Sequence, residues 1–108
     1  MIPKFRAWDN ECKAIRDYDE LKGLTLDALD ASYFELEQFT GVKDANGEEI
    51  YEGDIVKVVS QYWGQLGNRY EVKFIKGTFC VKYSLLSEIS PSTVVIGNVH
   101  TDHELLDD

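Results

Sequence analysis

Cysteine and long apolar runs are both scarce in this chain. Its 108 residues include two cysteines, Cys12 and Cys80, which are too few for a disulfide framework and lack the paired spacing of a zinc site. We expect both to be reduced thiols in the cytoplasm. No stretch reaches the roughly 18 apolar residues that a membrane helix needs, and the opening "MIPKFRAWDN" carries charge where a signal peptide would be apolar. Neither membrane insertion nor export is therefore expected.

Positive charge is scarce as well. Eleven Lys and Arg residues stand against 20 Asp and Glu residues, which gives a formal net charge of −9. Such a chain repels nucleic-acid phosphates at long range unless it has a local basic face, so nucleic acid is a disfavoured partner. The acids are dispersed along the chain, which is typical of a solvated surface. The sharper alternative is a surface that mimics DNA by presenting carboxylates at phosphate-like spacing.

The sequence shows no set of residues that is typical of a catalytic site. The stretch "FTGVKDANGEEIYEGDIVKVV" has neither the lysine placement of a P-loop nor the glycine spacing of a dinucleotide-binding turn. Cys12 and Cys80 lack a histidine joined to them by a known signature, because both histidines lie near the far end of the sequence. We therefore predict a protein that is not an enzyme and that uses no cofactor.

Two acidic segments are candidates for a metal site. His100, Asp102 and His103 in "HTDHE" have side chains that suit zinc, but further ligands are missing nearby, so a solvated tail is the simpler interpretation. The acids of "GEEIYEGD", which end at Asp54, suit a cation or acid–base chemistry. The simpler interpretation is that Asp54 bonds the backbone of a turn before a strand. We predict no metal site.

Alternation of apolar and polar residues predicts strands over most of the chain. Residues 2–8 and 11–18 are expected to form an N-terminal hairpin around a turn at Asp9-Asn10, followed by an acidic break at "DYDE". Residues 21–31 remain open between a short helix and irregular structure.

The remaining elements follow from turn residues and from short apolar runs. Asn-Gly and Glu-Gly pairs reverse the chain, and Asp44 is expected to accept hydrogen bonds from backbone amides ahead of it. The first predicted elements are a strand from Tyr33 that ends at Gly41, turns at Asn46-Gly47 and Glu52-Gly53, a strand over 54–59 and a loop or hairpin tip over 60–68. A hairpin over 69–83 follows, which turns at Lys76-Gly77 and keeps Tyr70, Val72 and Phe74 on one face. The last elements are a connection over 84–92 anchored by Leu85, Leu86 and Ile89, a strand over 93–100 with a bulge or bend at Gly97-Asn98, and a short turn over 103–106 capped by Asp102.

These elements predict a mainly β fold. We expect a single domain over residues 1–108, built on a small curled antiparallel sheet or an SH3-like partly open barrel over residues 33–108. The N-terminal hairpin and the open segment, residues 1–32, would pack on this core, together with short helical segments.

Aromatic side chains are more numerous than one small core requires. The chain has two Trp, six Tyr and five Phe residues, and Trp and Tyr are favoured as rigid anchors in protein interfaces. Tyr62 and Trp63, in a glycine-flanked loop, are the preferred contact residues, and Trp8 and Tyr51 are further candidates. The simpler interpretation is that the loop folds back and caps an open end of the barrel.

The hairpin over 69–83 also carries a group of bases. A basic face with nearby aromatic residues is typical of some nucleic-acid interfaces, although Glu71 and the overall charge oppose this interpretation. The bases are Arg69, Lys73, Lys76 and Lys82.

Three blocks of sequence resemble the YopX family of small phage and prophage proteins. The blocks are "IPKFRAWDNE", "FTGVKDANGEEIYEGDIVKV" and "VVIGNVHTDHELL", whereas residues 16–32 and the loop near Trp63 match nothing in that pattern. The resemblance implies a phage-encoded protein in the bacterial cytoplasm that is able to form oligomers. It implies no defined activity and supplies no catalytic residues.

Three functions are consistent with these observations. The first is a non-enzymatic accessory module that binds a host or phage protein, or another copy of itself. The second is a small nucleic-acid-binding β-barrel, and the third is a metal-dependent enzyme that uses the acidic segment near Asp54 or the "HTDH" group. We favour the first, because the surface is acidic, the aromatic residues are in surplus and no catalytic set is visible.

Overall fold

The structure, a computed structural model, describes residues 4–21, 34–60, 63–82 and 84–106. The segment 22–33 contains most of the residues that the sequence left open between helix and loop, and it lies outside the described residues.

Short strands predominate in the described residues, which confirms the mainly β prediction. The chain divides into two compact units, Met1–Phe39 and Thr40–Asp108, and the expected single domain over 1–108 stays a prediction. The described strands are β1 (Phe5–Asp9), β2 (Ala14–Arg16), β3 (Phe34–Lys43), β4 (Glu49–Tyr51), β5 (Asp54–Val58), β6 (Arg69–Glu71), β7 (Lys73–Ile75), β8 (Thr78–Cys80) and β9 (Thr93–Asn98). The described helical segments are α1 (Tyr18–Leu21), α2 (Leu86–Ile89) and 3₁₀ turns over Ser90–Ser92 and His103–Leu106.

The unit Met1–Phe39 contains the predicted N-terminal hairpin. Strand β1 pairs antiparallel with β2, with Trp8 opposite Ile15, and with β3, with Ala7 opposite Leu36. Strand β2 is shorter than predicted because the "DYDE" segment begins a helical turn, α1, instead of a simple break. The alternation of apolar and polar residues therefore predicted the position of the hairpin correctly but overestimated the length of its second strand.

The loop between β1 and β2 is organised by the buried carboxylate of Asp9. Its Oδ1 accepts the N–H groups of Glu11 at 2.9 Å and Cys12 at 3.1 Å, and its Oδ2 accepts Arg16 Nε at 3.2 Å. The hydrogen bond from the Cys12 N–H is the largest of the causes that hold the pKa of the Asp9 carboxyl below its ordinary value of 3.8. Burial opposes this shift, and the bonds from Arg16 and Glu11 add to it.

We expect Asp9→Asn to destabilise the protein at neutral pH and to lose this effect in acid. Because the folded pKa lies below the unfolded one, the ionised carboxylate stabilises the fold above pH 3.8, and the contribution is lost as the pH falls through the folded pKa. Urea titrations from neutral pH to below 3.8 should show the unfolding free energies of the native protein and the variant converging. A difference that stays constant with pH would contradict this role. Glu11→Gln, at an exposed position of the same loop, is the control and should change stability by less than about 0.5 kcal/mol.

Strand β3 continues through the glycine that was expected to end it. Gly41 has φ +89° but lies inside Phe34–Lys43, so the predicted strand end at this residue is wrong. Glycine adopts positive φ without a steric penalty, and a strand tolerates such a residue as a local irregularity. In the unit Thr40–Asp108, the end of β3 lies beside β4, and the Thr40 hydroxyl donates to the Ile50 carbonyl at 2.7 Å.

The core of the unit Thr40–Asp108 is centred on β5. This strand lies between β6 and β9 and pairs antiparallel with both. On β9 the register skips Ile96, since Ile55 faces Gly97 and Val56 faces Val95, so the irregularity lies one residue before the predicted bulge. The buried cluster consists of Ile50, Val56, Val58, Tyr70, Val72, Val81, Leu86 and Ile89.

Asp44 connects the turn before β4 to β9. Its Oδ1 accepts the N–H groups of Asn46 at 2.8 Å and Glu48 at 2.9 Å, which confirms the prediction that it bonds amides ahead of it. Its Oδ2 accepts the N–H of Val95 at 2.8 Å, a contact that spans 51 residues of sequence. One buried carboxylate thus fixes both a local turn and a distant strand.

The predicted hairpin over 69–83 is divided at Val72. The Val72 N–H donates to the Asp54 carbonyl at 2.9 Å, and the Val72 carbonyl accepts the Gly53 N–H at 2.9 Å, so the chain follows β5 up to this point. From Lys73 onward it pairs with β8 instead. The predicted turn at Lys76-Gly77 is confirmed, with positive φ at both residues.

Two finer predictions for this region are wrong. Tyr70 and Val72 are buried, but Phe74 is half-exposed because it belongs to the separate β7–β8 pair, so the three residues do not share one face. In the connection after β8, Leu86 and Ile89 are buried as expected, whereas Leu85 precedes α2 and is 44% exposed.

The described helical segments are all short. No helix within 4–21, 34–60, 63–82 or 84–106 is long and apolar enough to cross a membrane.

Candidate functional site

A groove with a volume of about 690 Å³ lies in the unit Thr40–Asp108 beside the β7–β8 hairpin. Its walls come from β6, β7, the end of β8 and the C-terminal 3₁₀ turn. This volume falls within the range of about 300–1,000 Å³ that is usual for ligand-binding clefts. The groove is therefore large enough to hold a small ligand or a short piece of polypeptide.

The β7–β8 hairpin presents a different set of side chains on each face. Phe74 pairs with Phe79 across the two strands, with ring centroids 4.8 Å apart. Because side chains alternate along a strand, Lys73 and Ile75 lie on the opposite face, and both line the groove. Ile75 is 47% exposed, so the groove face of β7 offers apolar as well as charged surface.

The groove is basic although the chain is acidic. Among the described residues that line it, Arg69, Lys73 and Lys82 are basic and Glu71 is acidic, against a net charge of −9 for the whole chain. These three bases belong to the basic face that the sequence indicated, whereas the fourth, Lys76, lies in the turn at the tip of the hairpin. Bases therefore outnumber acids among the described lining residues, the reverse of the whole chain, and such an excess favours anionic groups.

Apolar residues from the end of the chain complete the groove. Leu105 and Leu106, both half-buried, line it together with Ile75. The sequence did not link these leucines to the basic hairpin, because the contact joins segments more than twenty residues apart. The sequence contains one relevant signal, the apolar pair of "HELL", which indicates that this turn packs against another part of the chain.

The loop before β6 is fastened to the wall of the groove. The hydroxyl of Tyr70 donates to Gln65 Oε1 at 2.8 Å and accepts Asn68 Nδ2 at 2.9 Å. Because Tyr70 is a buried member of the core cluster, these bonds hold the loop residues Gln65 to Asn68 in place. The segment that carries Trp63 and Leu66 is therefore anchored immediately beside β6.

The four aromatic contact candidates have different environments. Trp63 is 87% exposed and has φ +47°, so its ring does not cap the sheet as the simpler interpretation required. Tyr62 lies outside the described residues. Trp8 is 5% exposed and its Nε1 donates to Asn10 Oδ1 at 3.0 Å, so it offers little surface to a partner. Tyr51, in β4, is half-buried.

Asp102, one of the residues considered for a metal site, has a structural role in a turn. Asp102 Oδ2 accepts the N–H of Asn98 at 3.1 Å and the Thr101 hydroxyl at 2.9 Å. Its side chain thus faces back toward β9, and the C-terminal turn is closed instead by the Leu105 N–H bonding the Asp102 carbonyl at 2.9 Å. His100 and His103 flank this carboxylate in sequence. In the part of the chain that the structure describes, no three His, Cys, Asp or Glu side chains are grouped so that they could hold a metal ion.

Asp54 has the structural role that the simpler interpretation gave it. Its Oδ2 accepts the Tyr51 N–H at 2.8 Å across the turn that leads into β5, and its side chain is buried. This bond explains why an acid stands directly before the apolar run of β5.

Comparisons with known proteins agree with this fold. The sequence matches the family model described as YopX protein over residues 23–107. A crystal structure of protein EF1440 from Enterococcus faecalis is similar to this chain with a TM-score of 0.72 and 26% sequence identity, over 99% of each chain. A search of functionally curated proteins found no significant match. The structural neighbour therefore supports the fold over nearly the whole chain.

Proposed function

We propose that this chain, which belongs to the YopX protein family, is a non-enzymatic accessory module that binds either another protein or a second copy of itself. The family match confirms the resemblance and covers the second and third of the three sequence blocks, whereas the first block, residues 2–11, lies outside the matched residues. The observation that carries the proposal is Trp63, the most exposed large apolar side chain in the described residues.

The backbone of Trp63 is strained, and its side chain is exposed. A non-glycine residue at φ +47° lies in the sparsely populated left-handed region, and such strain often marks a functional position. A tryptophan that becomes buried removes roughly 150–250 Å² from water, which corresponds to about 4–6 kcal/mol at about 25 cal/mol per Å² before the costs of association. Leu66, also exposed, lies in the same anchored loop. This loop thus has the composition of an interface anchor.

The cellular setting is part of the same proposal. We place the protein in the cytoplasm of a bacterial host and regard it as encoded by a phage or prophage. The resemblance to phage and prophage sequences supports this origin, and the two free cysteines, Cys12 and Cys80, are consistent with a reducing compartment.

Mass measurement in solution combined with affinity capture tests the function. The native protein should capture a defined partner from host lysate, and Trp63→Asn should lose it, because asparagine tolerates positive φ but lacks the ring. Leu36→Ser, which changes an exposed leucine of the other compact unit, should capture the partner as the native protein does. Light scattering separates the two forms of the proposal, since a mass above the monomer that falls in Trp63→Asn indicates self-assembly. A monomeric protein that captures nothing contradicts both.

A further inference from the structure

We infer that the groove beside the β7–β8 hairpin binds an acidic segment of the partner protein that also carries apolar side chains. This inference rests on the proposed function and specifies the chemistry of the partner. Arg69, Lys73 and Lys82 would pair with its carboxylates, and Ile75 with the leucines of the C-terminal turn would cover its apolar side chains.

The charged residues that line the groove indicate that the ligand is negatively charged. Three of the 11 basic residues of the chain line this one groove, next to a single acid, Glu71, among the described lining residues. In a chain with a net charge of −9, basic residues scattered for solubility would be interspersed with acids. Their concentration in a concave site points to recognition of anionic groups, which they also steer toward the groove.

The apolar lining shows that charge alone does not describe the ligand. Ile75 is about half-exposed on the groove face of β7, and Leu105 and Leu106 face the same space from the C-terminal turn. A ligand made only of charged groups would leave these side chains uncovered. A peptide that alternates acidic and apolar residues covers both kinds of surface, and its extended backbone places them on opposite sides.

A protein segment suits the groove better than nucleic acid does. Single-stranded nucleic acid usually binds by stacking its bases on exposed aromatic rings. Among the described lining residues the aromatic one is Tyr70, which is buried and whose hydroxyl is engaged by Gln65 and Asn68. A nucleic acid longer than the groove would also be repelled at long range by a chain with a net charge of −9, whereas a short acidic segment carries few charges into that field.

The anchored loop joins the groove to the exposed tryptophan. The bonds from Gln65 and Asn68 to Tyr70 hold the loop against β6, which is one wall of the groove. Leu66 lies between these two loop residues and Trp63 lies two positions before Gln65, so a partner bound in the groove would be able to contact the same loop.

Fluorescence anisotropy with four labelled probes tests the inference. The first probe is a short peptide of alternating Glu and Leu, the second replaces Glu by Gln, the third replaces Leu by Ser, and the fourth is an oligothymidylate of equal charge. We expect the Glu-Leu peptide to bind the native protein at least about tenfold more tightly than each of the other three. Its affinity should fall as salt is added, because screening weakens exposed charge pairs.

Matched variants locate the binding. Lys73→Glu combined with Lys82→Glu should weaken binding of the Glu-Leu peptide by about tenfold or more, whereas Lys43→Glu, at an exposed position of β3, should change it less than about twofold. Ile75→Ser provides a second test that leaves the groove charge unchanged, and it should weaken the Glu-Leu peptide more than the Glu-Ser peptide. Circular dichroism checks that each variant is folded.

Several results would overturn the inference. The first two are that the Gln-Leu peptide binds as tightly as the Glu-Leu peptide, or that oligothymidylate binds more tightly than it. The third is that the paired lysine changes leave the affinity for the Glu-Leu peptide unchanged. The fourth is a native oligomer that dissociates in the paired variant, because the occupant of the groove would then be a second copy of the chain. If the paired variant still captures the partner that Trp63→Asn loses, the groove inference fails while the proposed function stands. If the native protein captures no partner and does not self-associate, the function itself fails.

Discussion

Leu86→Ala is expected to lower the free energy of unfolding by about 2–5 kcal/mol, the range for a buried leucine whose removal leaves a cavity. Leu86 is 1% exposed and belongs to the core cluster of the unit Thr40–Asp108 together with Val81 and Ile89. Replacing its side chain by a methyl group removes buried apolar surface and leaves a space among the packed side chains of this cluster. Both the lost burial and the cavity therefore contribute.

The adjacent leucine is a matched control for this change. Leu85 is 44% exposed, so Leu85→Ala should cost less than about 1 kcal/mol. Urea unfolding followed by circular dichroism measures both variants, and similar denaturant slopes show that the comparison concerns one two-state transition. Equal losses at the two positions would mean that the assigned core is wrong in this region.

The sequence predicted best those features that depend on neighbouring residues. The hairpin turn at Lys76-Gly77 is fixed by the backbone freedom of a few adjacent residues, and it lies where the pattern placed it. Asp54 bonds an amide three residues away, so its role was also visible in the local order of acids and turn residues. Such features require no knowledge of the rest of the fold.

The errors arose where a distant segment decides the local structure. The alternation of apolar and polar residues predicts one continuous strand through Val72. The bonds of Val72 to Gly53 and Asp54 instead divide the predicted strand between two sheets. The connection that contains Leu85 and Leu86 is too short to show a helical period, so its pattern could not show which leucine is buried.

Only part of the candidate site could be predicted from the sequence, because its other part comes from a distant segment of the chain. Arg69, Lys73 and Lys82 all lie within the hairpin that the sequence predicted over 69–83, so a shared basic surface could be proposed from the sequence alone. Their partners in the groove, Leu105 and Leu106, come from the far end of the chain. Without the fold, the basic hairpin resembled a weak nucleic-acid face, and the apolar half of the site could not be assigned.

Asp44→Ala is expected to destabilise the protein by about 2–4 kcal/mol, because three backbone amides lose a charged acceptor and the buried ones are left unsatisfied. The carboxylate is 7% exposed and bonds the amides of Asn46, Glu48 and Val95. Water can reach the first two amides, which lie in an exposed turn, more easily than the amide of Val95 in β9. Most of the loss should therefore come from the connection between the turn and β9.

Asp44→Asn separates the local bonds from the distant one. Its single carbonyl oxygen can still accept the amides of Asn46 and Glu48, but its NH₂ group would face the Val95 N–H, so one of the three bonds is lost along with the charge. Because the bond to Val95 is the one that is lost, we expect more than half of the effect of the alanine variant in urea unfolding. Glu48→Ala, whose side chain is exposed in the same turn, should cost less than about 0.5 kcal/mol. If the alanine variant were as stable as Glu48→Ala, the carboxylate would not connect β9 to the turn. If the asparagine variant lost as much as the alanine variant, the charge and the bond to Val95 would account for the whole effect.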